Sequence, residues 1–314
     1  MYNCIGLDVS KKLISVYIPI NKVCIEIENT FKGIKNLYSK LSKLYKKETD
    51  SLVFIFEPTG SYSFTLTKFC KNKNIKCFLI NPKQFSNHAK ALGQRNKTDE
   101  VDSIVLSKSI HLAREDEIKI PYINEEAENI KELMSYYKFI SKQRTKTSNH
   151  LEALNTKNGN SYAIKELKKS IQELLKKEES ILIKVINIIE DNEKLSLKYN
   201  NLKTLSGIGK IGAIVLLHLF IKYPKANQRQ IIALAGLDPI IKVSGTSVYK
   251  KPKISKAGSK LYRGSLFMGV MTAIRYDENM KAFFDRLKEK GKHTTVAQIA
   301  VMRKMIIIAH SLYK

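Results

Sequence analysis

The sequence has few of the residues that build metal-bound or disulfide-bonded folds. It contains four cysteines, Cys4, Cys24, Cys70 and Cys77, and no two of them form a C-x-x-C pair. The six histidines are scattered without the spacing of metal ligands. These absences argue against a structural zinc site, so we expect each cysteine to be a buried, reduced thiol.

Long apolar runs are missing as well. Asp8 interrupts the N-terminal region where a secretory signal would need an apolar stretch. The apolar stretch from Met305 to Ala309 is short, and Arg303, Lys304 and His310 flank it. The sequence therefore predicts a cytoplasmic protein that has no membrane-spanning helix and no membrane partner.

Acidic residues are scarce for a chain of this size. The 314 residues include 29 Asp and Glu against 55 Lys and Arg, which gives a net charge of +26. An excess of this size predicts a polyanionic partner. Nucleic acid is favoured over a membrane surface, because the basic residues are spread along the chain and are not gathered in one block. The length allows two or three domains.

The first 120 residues have the pattern of an α/β fold, in which a sheet is covered by helices. The predicted strands are Tyr2–Leu7, Leu13–Ile20, Val23–Glu28, Leu52–Phe56 and Lys76–Ile80, and the predicted helices are Phe31–Tyr45 and Phe64–Lys71. A turn is predicted near Pro19–Lys22. In such sheets the chemistry lies at the carboxyl ends of the strands.

Four acidic residues are candidates for a metal site. Asp8 and Glu57 each end a predicted strand. Thr98 is placed to cap a helix on whose face Asp99 and Asp102 lie together. Alone, that pair fits a capped, solvated helix start. Together with Asp8 and Glu57, it predicts a site for Mg²⁺ or Mn²⁺, because both ions prefer carboxylate oxygens.

The middle of the chain is helical in pattern. No proline occurs between Pro121 and Pro224, and apolar residues recur at helical spacing on both sides of a break at residues 155–160. This predicts two long helices. Both a coiled-coil dimerisation arm and an intramolecular helical hairpin fit the pattern.

The last third contains two glycine-rich segments. Gly207-Ile208-Gly209 is similar to the turn of a helix-hairpin-helix motif, with Lys210 beside it, although a glycine turn between core helices fits nearly as well. The segment 243–247 is either a polar loop or the site of a serine nucleophile, and Ser255 is a candidate helix N-cap. Two closing helices are predicted at Leu261–Ile274 and Thr295–Leu312.

Several motifs together resemble the DEDD insertion-sequence transposases, a family that includes the Piv-type invertases and the bridge-RNA-guided recombinases. The motifs in the N-terminal half are Gly6-Leu7-Asp8, Glu57-Pro58-Thr59-Gly60, Asn81-Pro82 and Arg95-Asn96-Lys97-Thr98-Asp99 with Asp102. Those in the C-terminal half are Gly207-Ile208-Gly209, Ala235-Gly236-Leu237, Ser244-Gly245 with Ser247, Ser255-Lys256 with Gly258, and Arg303-Lys304. Ser103 departs from the alanine usual in the family.

The resemblance implies three parts: a RuvC-like (RNase H) catalytic domain at residues 1–120, a coiled-coil arm at 121–200, and a mainly α-helical transposase domain at 201–314. It assigns Asp8, Glu57, Asp99 and Asp102 as metal ligands and catalytic residues. It assigns Ser244 as the nucleophile, with Ser247 as a close competitor.

The implied reaction is DNA strand exchange through a covalent phosphoserine, in a homodimer or homotetramer guided by a noncoding RNA. The residues expected to contact nucleic acid are Arg95, Lys97, Lys210, Lys250, Lys251, Lys253, Lys256, Lys260, Arg263, Arg303 and Lys304. Three alternatives compete with this function: a metal-only nuclease or resolvase, an actin-like sugar or acetate kinase, and a non-catalytic nucleic-acid-binding protein.

Overall fold

The computed structural model describes residues 2–46, 51–94, 98–244 and 248–314. The chain divides into two compact units, Met1–Ile123 and Asn124–Lys314. The first is an α/β unit and the second is mostly helical, which confirms the coarse fold class and is consistent with a RuvC-like first domain.

The first unit contains a five-stranded sheet with helices on both faces. Its strands are β1 (Asn3–Val9), β2 (Leu13–Ile18), β3 (Val23–Glu28), β4 (Leu52–Phe56) and β5 (Lys76–Leu79). Its helices are α1 (Phe31–Tyr45), α2 (Phe64–Asn72), α3 (Pro82–Ala91) and α4 (Asp99–Lys108), followed by short 3-10 helices at Ser109–Leu112 and Glu115–Glu117. The predicted β3, β4 and α1 are confirmed with their bounds.

The order of strands in the sheet is β3-β2-β1-β4-β5. β1, β2 and β3 are antiparallel neighbours, whereas β4 and β5 run parallel to β1. Every residue of β4 is buried, as its continuous apolar sequence predicts, because helices cover both faces. Phe54 and Phe56 pack in a core with α1 and α2, while Val53 and Ile55 pack with α3 and α4.

The predicted bounds of β1, β2 and β5 were wrong in detail, since β1 begins at Asn3 and not Tyr2 and β5 ends at Leu79 and not Ile80. β1 continues through Asp8 to Val9, and β2 ends at Ile18 where the chain turns, with the amide of Lys22 bonding the carbonyl of Pro19 at 3.2 Å. Asp8 therefore lies inside a strand. The cysteines are all unpaired, but only Cys70 and Cys77 are fully buried; Cys4 and Cys24 are half-buried.

The second unit begins with two long helices, α5 (Glu125–Thr156) and α6 (Ser161–Glu190), which pack against each other. The remaining elements are α7 (Glu193–Lys203), α8 (Lys210–Lys222), α9 (Gln228–Leu234), β6 (Pro239–Ser244), β7 (Val248–Ile254), α10 (Lys260–Tyr276), α11 (Glu278–Glu289) and α12 (Thr294–Tyr313). The two long helices and their break are confirmed. α8 is the centre of the core, since it is buried continuously from Gly212 to Ile221.

Among the helices in the described ranges, one, α12, is long and apolar enough by composition to span a membrane. It packs against α7, α8, α9, α10 and α11. Its residues Val301, Ile306 and Ala309 are fully buried in the core of the second unit. We therefore assign α12 as a core helix.

Candidate active site

Asp8 and Glu57 are brought together by the pairing of two central strands. β1 and β4 are parallel, with Asn3 level with Leu52 and Gly6 level with Ile55. Continuing this register by two residues makes Asp8 level with Glu57, directly after the last residue of β4. Neighbouring strands lie about 4.8 Å apart. The two acidic residues are therefore cross-strand neighbours.

Both carboxylates belong to the face of the sheet that α4 covers. A Cβ added to Gly6 would lie 1.9 Å from the carbonyl oxygen of Ser103, so the side-chain direction of Gly6 points at α4. Residues two apart in a strand share a face, so Asp8 points the same way. Glu57 shares its face with Ile55, which packs against α4 residues in the same core.

The direction of α4 brings its first turn towards Asp8. The hydroxyl of Ser107 donates to the carbonyl of Cys4 at 2.6 Å, and Ser103 lies over Gly6. The four residues of α4 from Ser107 to Ser103 span about 6 Å, and the two residues of β1 from Cys4 to Gly6 span about 6.6 Å, so the helix and the strand advance together. One further helical turn places Asp99 at the level of Asp8, so α4 runs antiparallel to β1 with its acidic start at the carboxyl end of the strand.

The start of α4 is capped as the sequence predicts. The hydroxyl of Thr98 accepts from the amide of Val101 at 3.2 Å. Asp99 and Asp102 both lie in the first turn, where their charge is favourable to the helix dipole. The cap fixes the backbone of the turn that carries both carboxylates, while the bond from Ser107 to Cys4 attaches α4 to the sheet.

The loop after Glu57 is tied to the end of β1. The hydroxyl of Thr59 donates to the carbonyl of Val9 at 3.4 Å. The side-chain amide of Asn29 bridges the two segments, because it donates to the carbonyls of Ser10 at 2.8 Å and Tyr62 at 2.9 Å. These bonds hold the carboxyl ends of β1 and β4 at one edge.

We use the name acidic edge for the sheet edge that carries Asp8 and Glu57 together with Asp99 and Asp102 at the start of α4. It has the donor chemistry for a hard divalent cation, since all four candidates are carboxylates. Asp8, Glu57 and Asp102 are half-buried and Asp99 is exposed. Within the described residues, no three side chains of the histidine, cysteine, aspartate and glutamate types are grouped so that they could hold a metal ion. Mutual repulsion among the carboxylates favours such separation. The backbone arrangement suits the proposed ligands, while the side chains are not drawn into one cluster.

Ser103 is accommodated by its own helix. It is fully buried, and its hydroxyl donates to the carbonyl of Glu100 at 2.7 Å. The thiol of Cys24 lies 3.9 Å from the hydroxyl oxygen of Ser103. Burial raises the pKa of this thiol, and the contact with Ser103 lowers it in part. The fold therefore accommodates a hydroxyl at position 103 without leaving a buried hydroxyl unpaired.

In the second unit, Ser244 is the last residue of β6, the first strand of a β-hairpin that the sequence analysis did not predict. β6 and β7 are antiparallel, with Pro239 opposite Ile254 and Ser244 opposite Val248. The β-branched residues that flank the small polar segment were the signal for it. Ser247, the competing nucleophile, lies outside the described residues.

The turn at Gly207 joins two packed helices, α7 and α8. Gly207 has φ +82°, and a Cβ there would lie 2.1 Å from the carbonyl oxygen of Gly269 in α10. This glycine is required by core packing. Gly209 caps α8 and has open space around it, and Lys210 beside it is exposed.

Comparison with known proteins agrees with this architecture. Residues 5–156 match the family model of the DEDD transposase domain of IS110 elements, described as "Transposase". Residues 199–285 match the model described as "Transposase IS116/IS110/IS902 family". A "Pilin gene-inverting protein" of Moraxella bovis is 30% identical over 285 residues, covering 85% of this chain and 81% of that protein. The chain belongs to the IS110 transposase family.

A second relative, a "Pilin gene-inverting protein" of Moraxella lacunata, is 28% identical over 284 residues, again covering 85% of this chain and 81% of the relative. The two family models match both units. The protein is therefore a DNA transposase or recombinase, and it acts on DNA. The kinase alternative is thereby set aside.

The cations expected to bind nucleic acid have different surroundings in the transposase. Lys210, Lys253, Lys256 and Lys260 are exposed, and Lys250 and Lys251 are residues of β7. Arg303 and Lys304 are half-buried on α12, where the ammonium of Lys304 lies 4.9 Å from the ring centre of Phe283. Arg95 and Lys97 lie outside the described residues.

Arg263 and Ser255 have contacts that the sequence did not indicate. One guanidinium nitrogen of Arg263 donates to the carbonyls of Ala235 at 3.0 Å and Gly258 at 2.8 Å. Ser255 is not a helix N-cap, because Ser259 caps α10 and the hydroxyl of Ser255 donates to the carboxylate of Asp238. The transposase thus uses both residues at the base of the β6–β7 hairpin.

Proposed function

We propose that this transposase exchanges DNA strands through a covalent phosphoserine at Ser244, assisted by a divalent metal at Asp8, Glu57, Asp99 and Asp102. The observation that carries the proposal is the convergence of β1, β4 and the start of α4 at one sheet edge, with Asp8 level with Glu57. Carboxylates brought to one edge by the backbone can supply the oxygen ligands that Mg²⁺ and Mn²⁺ prefer.

The covalent chemistry balances without a further reactant. The hydroxyl oxygen of Ser244 attacks a DNA phosphorus, an O–P bond forms, and the bond from phosphorus to the leaving deoxyribose oxygen breaks. The serine proton is lost to a base and the leaving oxygen gains a proton. A hydroxyl end of the partner strand then attacks the phosphoserine, which joins the strands and restores the serine.

The four carboxylates would hold Mg²⁺ or Mn²⁺, and the bound ion would supply charge stabilisation at the phosphate. The chain's own contribution is positional. β1 and β4 fix Asp8 and Glu57, and the Thr98 cap fixes Asp99 and Asp102. These attachments support the assignment of all four as ligands.

The β6–β7 hairpin has the charge expected of a phosphate-binding element. No acidic residue occurs from Pro239 to Ser255, whereas lysines occupy positions 242, 250, 251 and 253. Lys242 is directly opposite Lys250 in the register. A strand pair with four lysines and no acidic residue suits an anionic partner. We propose that the hairpin lies along DNA.

We extend the proposal to an oligomer and to a guide RNA. On α6, Ile164, Leu167, Ile171 and Leu174 are only partly buried, and Leu175 is 40% exposed. This incompletely covered face suits a coiled-coil arm that pairs with a second copy. The net charge of +26 suits an RNA partner as well as DNA. We also propose that the protein is cytoplasmic.

The test is a search for a covalent protein–DNA adduct. The protein, purified with any RNA that accompanies it, is incubated with Mg²⁺ and DNA carrying the flanks of its reading frame. We expect an adduct that resists denaturant, disappears in Ser244→Ala and persists in Ser247→Ala. RNA sequencing of the purified protein tests the guide, and ribonuclease treatment should abolish adduct formation.

A metal-only nuclease is the second candidate, because the acidic edge lies wholly within the first unit. It predicts nicked DNA without an adduct, and full cutting by Ser244→Ala. An adduct that survives Ser244→Ala but not Ser247→Ala would reassign the nucleophile. Salt-sensitive DNA binding without any cutting would favour a non-catalytic binding protein.

A further inference from the structure

The β6–β7 hairpin is attached to the helical unit at a small set of bonds between its two legs. We use the name hairpin base for the residues 235–238 and 255–258. The amide of Ser255 donates to the carbonyl of Asp238 at 2.9 Å, and the amide of Lys256 donates to the carbonyl of Gly236 at 3.1 Å. The hydroxyl of Ser255 also donates to the carboxylate of Asp238.

Arg263, in the first turn of α10, joins both legs of the hairpin base. One nitrogen of its guanidinium donates to Ala235 on the incoming leg and to Gly258 on the outgoing leg. The space around it is filled closely, because a Cβ on Gly236 would lie 2.4 Å from this nitrogen. The same addition to Gly258 would lie 1.9 Å from the carbonyl oxygen of Leu234.

Beyond the base, the hairpin projects from the core. Ile240, Ile241 and Val243 are 43%, 67% and 55% exposed. The register also shifts between Ile240 and Lys242, so the ladder is irregular there. Ala235 and Leu237, by contrast, are buried at 0% and 1%. The position of Ser244 therefore depends on how firmly the base is held.

A small movement at the hairpin base produces a larger movement at the far end of the strands. Its legs are about 4.8 Å apart, and the six residues of β6 extend about 20 Å from the base. A shift of about 1 Å between the legs tilts the hairpin by about 12°, which displaces the far end of β6, at Ser244, by about 4 Å. Displacement of a nucleophile by about 1 Å is enough to slow a reaction about 100-fold.

We infer that Arg263 is a positioning residue for strand exchange, which locks both legs of the hairpin base and so sets the place of Ser244. This inference rests on the proposed role of Ser244. The expected role of Arg263 thereby changes from a contact with phosphate to a structural link within the protein, since one guanidinium nitrogen donates to two backbone carbonyls.

The experiment compares Arg263→Ala with Arg275→Ala in the full-length protein. Arg275 is an exposed arginine on the last turn of the same helix, so the charge change is matched. We expect Arg263→Ala to form the adduct about 10- to 100-fold more slowly in a single turnover. Its DNA affinity and the salt dependence of binding should match those of Arg275→Ala. Added guanidinium should restore much of the rate in Arg263→Ala.

Two readouts distinguish this inference from a merely structural role and from a phosphate contact. A phosphate contact predicts weaker binding and a smaller salt slope in Arg263→Ala, and that result overturns the inference. An unchanged rate of adduct formation in folded Arg263→Ala also overturns it. If Arg263→Ala does not fold, Ser255→Ala is tested instead, because it removes another bond between the same two legs. An unchanged rate of adduct formation in Ser255→Ala would then overturn the inference.

Hydrogen exchange separates failure of this inference from failure of the proposed function. We expect Arg263→Ala to accelerate exchange at the amides of Ser255 and Lys256, while the core of α8 is unaffected. If the parent protein forms no Ser244-dependent adduct, the proposed function fails. If it forms one and Arg263→Ala exchanges at the parent rate, only the role of Arg263 is refuted.

Discussion

Arg144 and Glu178 form a largely buried ion pair across the α5–α6 hairpin, with the Nε of Arg144 2.8 Å from the Oε1 of Glu178. The carboxylate side chain is 9% exposed and the guanidinium side chain 32%. The pair joins two helices whose other buried residues are all apolar and carry no directional bond. It therefore fixes which turns of the two helices face each other.

Removal of Arg144 should destabilise the helical unit. Arg144→Ala leaves a buried carboxylate without its partner, and we expect a loss of about 2–3 kcal/mol, below the full buried-pair cost because Arg144 is partly solvated. Replacing both residues by apolar ones of similar volume should restore most of the loss. Urea unfolding measures both. Arg114→Ala, which breaks an exposed pair with Glu117, is the control and should show no measurable loss; an equal loss in both variants contradicts the prediction.

Gly6→Ala should displace α4 from the sheet. The added Cβ would meet the backbone of Ser103 at 1.9 Å and of Ser107 at 2.6 Å, and neither can move without the helix. We expect a loss of about 1–3 kcal/mol in unfolding free energy, together with loss of strand transfer. Gly264→Ala is the control, because its surroundings are open, and it should stabilise α10 by up to about 1 kcal/mol. Retained stability and activity in Gly6→Ala would show that α4 does not need this close contact.

Asp102→Asn should abolish metal-dependent chemistry while DNA binding is retained. We expect a fall of at least about 100-fold in strand transfer, since one carboxylate of the acidic edge is lost. Glu100→Gln is the matched control, as Glu100 is exposed in the same helical turn and carries the same charge. Strand transfer should also stop when EDTA removes divalent ions. Equal activity of the two variants would exclude Asp102 as a ligand.

The stability of the second unit should fall between about pH 6.5 and pH 4. The pKa of His218 is lowered to about 4, mainly by burial, with Lys222 and Lys131 also lowering it and Glu128 opposing them. The unfolded chain therefore binds a proton in this range that the folded chain does not, so acid favours unfolding. The ring also contacts the hydroxyl of Tyr262 at 3.0 Å.

The test is urea unfolding of the protein at pH 7 and pH 5. We expect the free energy of unfolding to fall by about 2 kcal/mol, which follows from a pKa difference of this size. In His218→Gln this part of the pH dependence should disappear. A pH dependence that is the same in both proteins would mean that other groups cause it.

Much of the fold could be predicted because hydrophobic periodicity is a local property. The apolar run Leu52–Phe56 and the helical pattern of Phe31–Tyr45 have the bounds that the structure gives them. The β6–β7 hairpin was missed because β7 carries Pro252 and three lysines, which obscure the pattern of a strand, and the segment 243–247 has the composition of a loop. Its stability depends on bonds to residues before and after it, which no local pattern reports.

The sequence by itself determined the charge of the partner, the capped acidic turn at Thr98 and the family, since these depend on residue types and short spacings. Only the tertiary structure decided that Asp8 is level with Glu57, that α4 runs back along β1, and that Arg263 binds backbone carbonyls. Register and helix direction arise from contacts between residues far apart in the chain, such as Asn3 with Leu52 and Cys4 with Ser107. Side-chain partners follow from those contacts, so a cation that a sequence assigns to DNA can be used inside the protein.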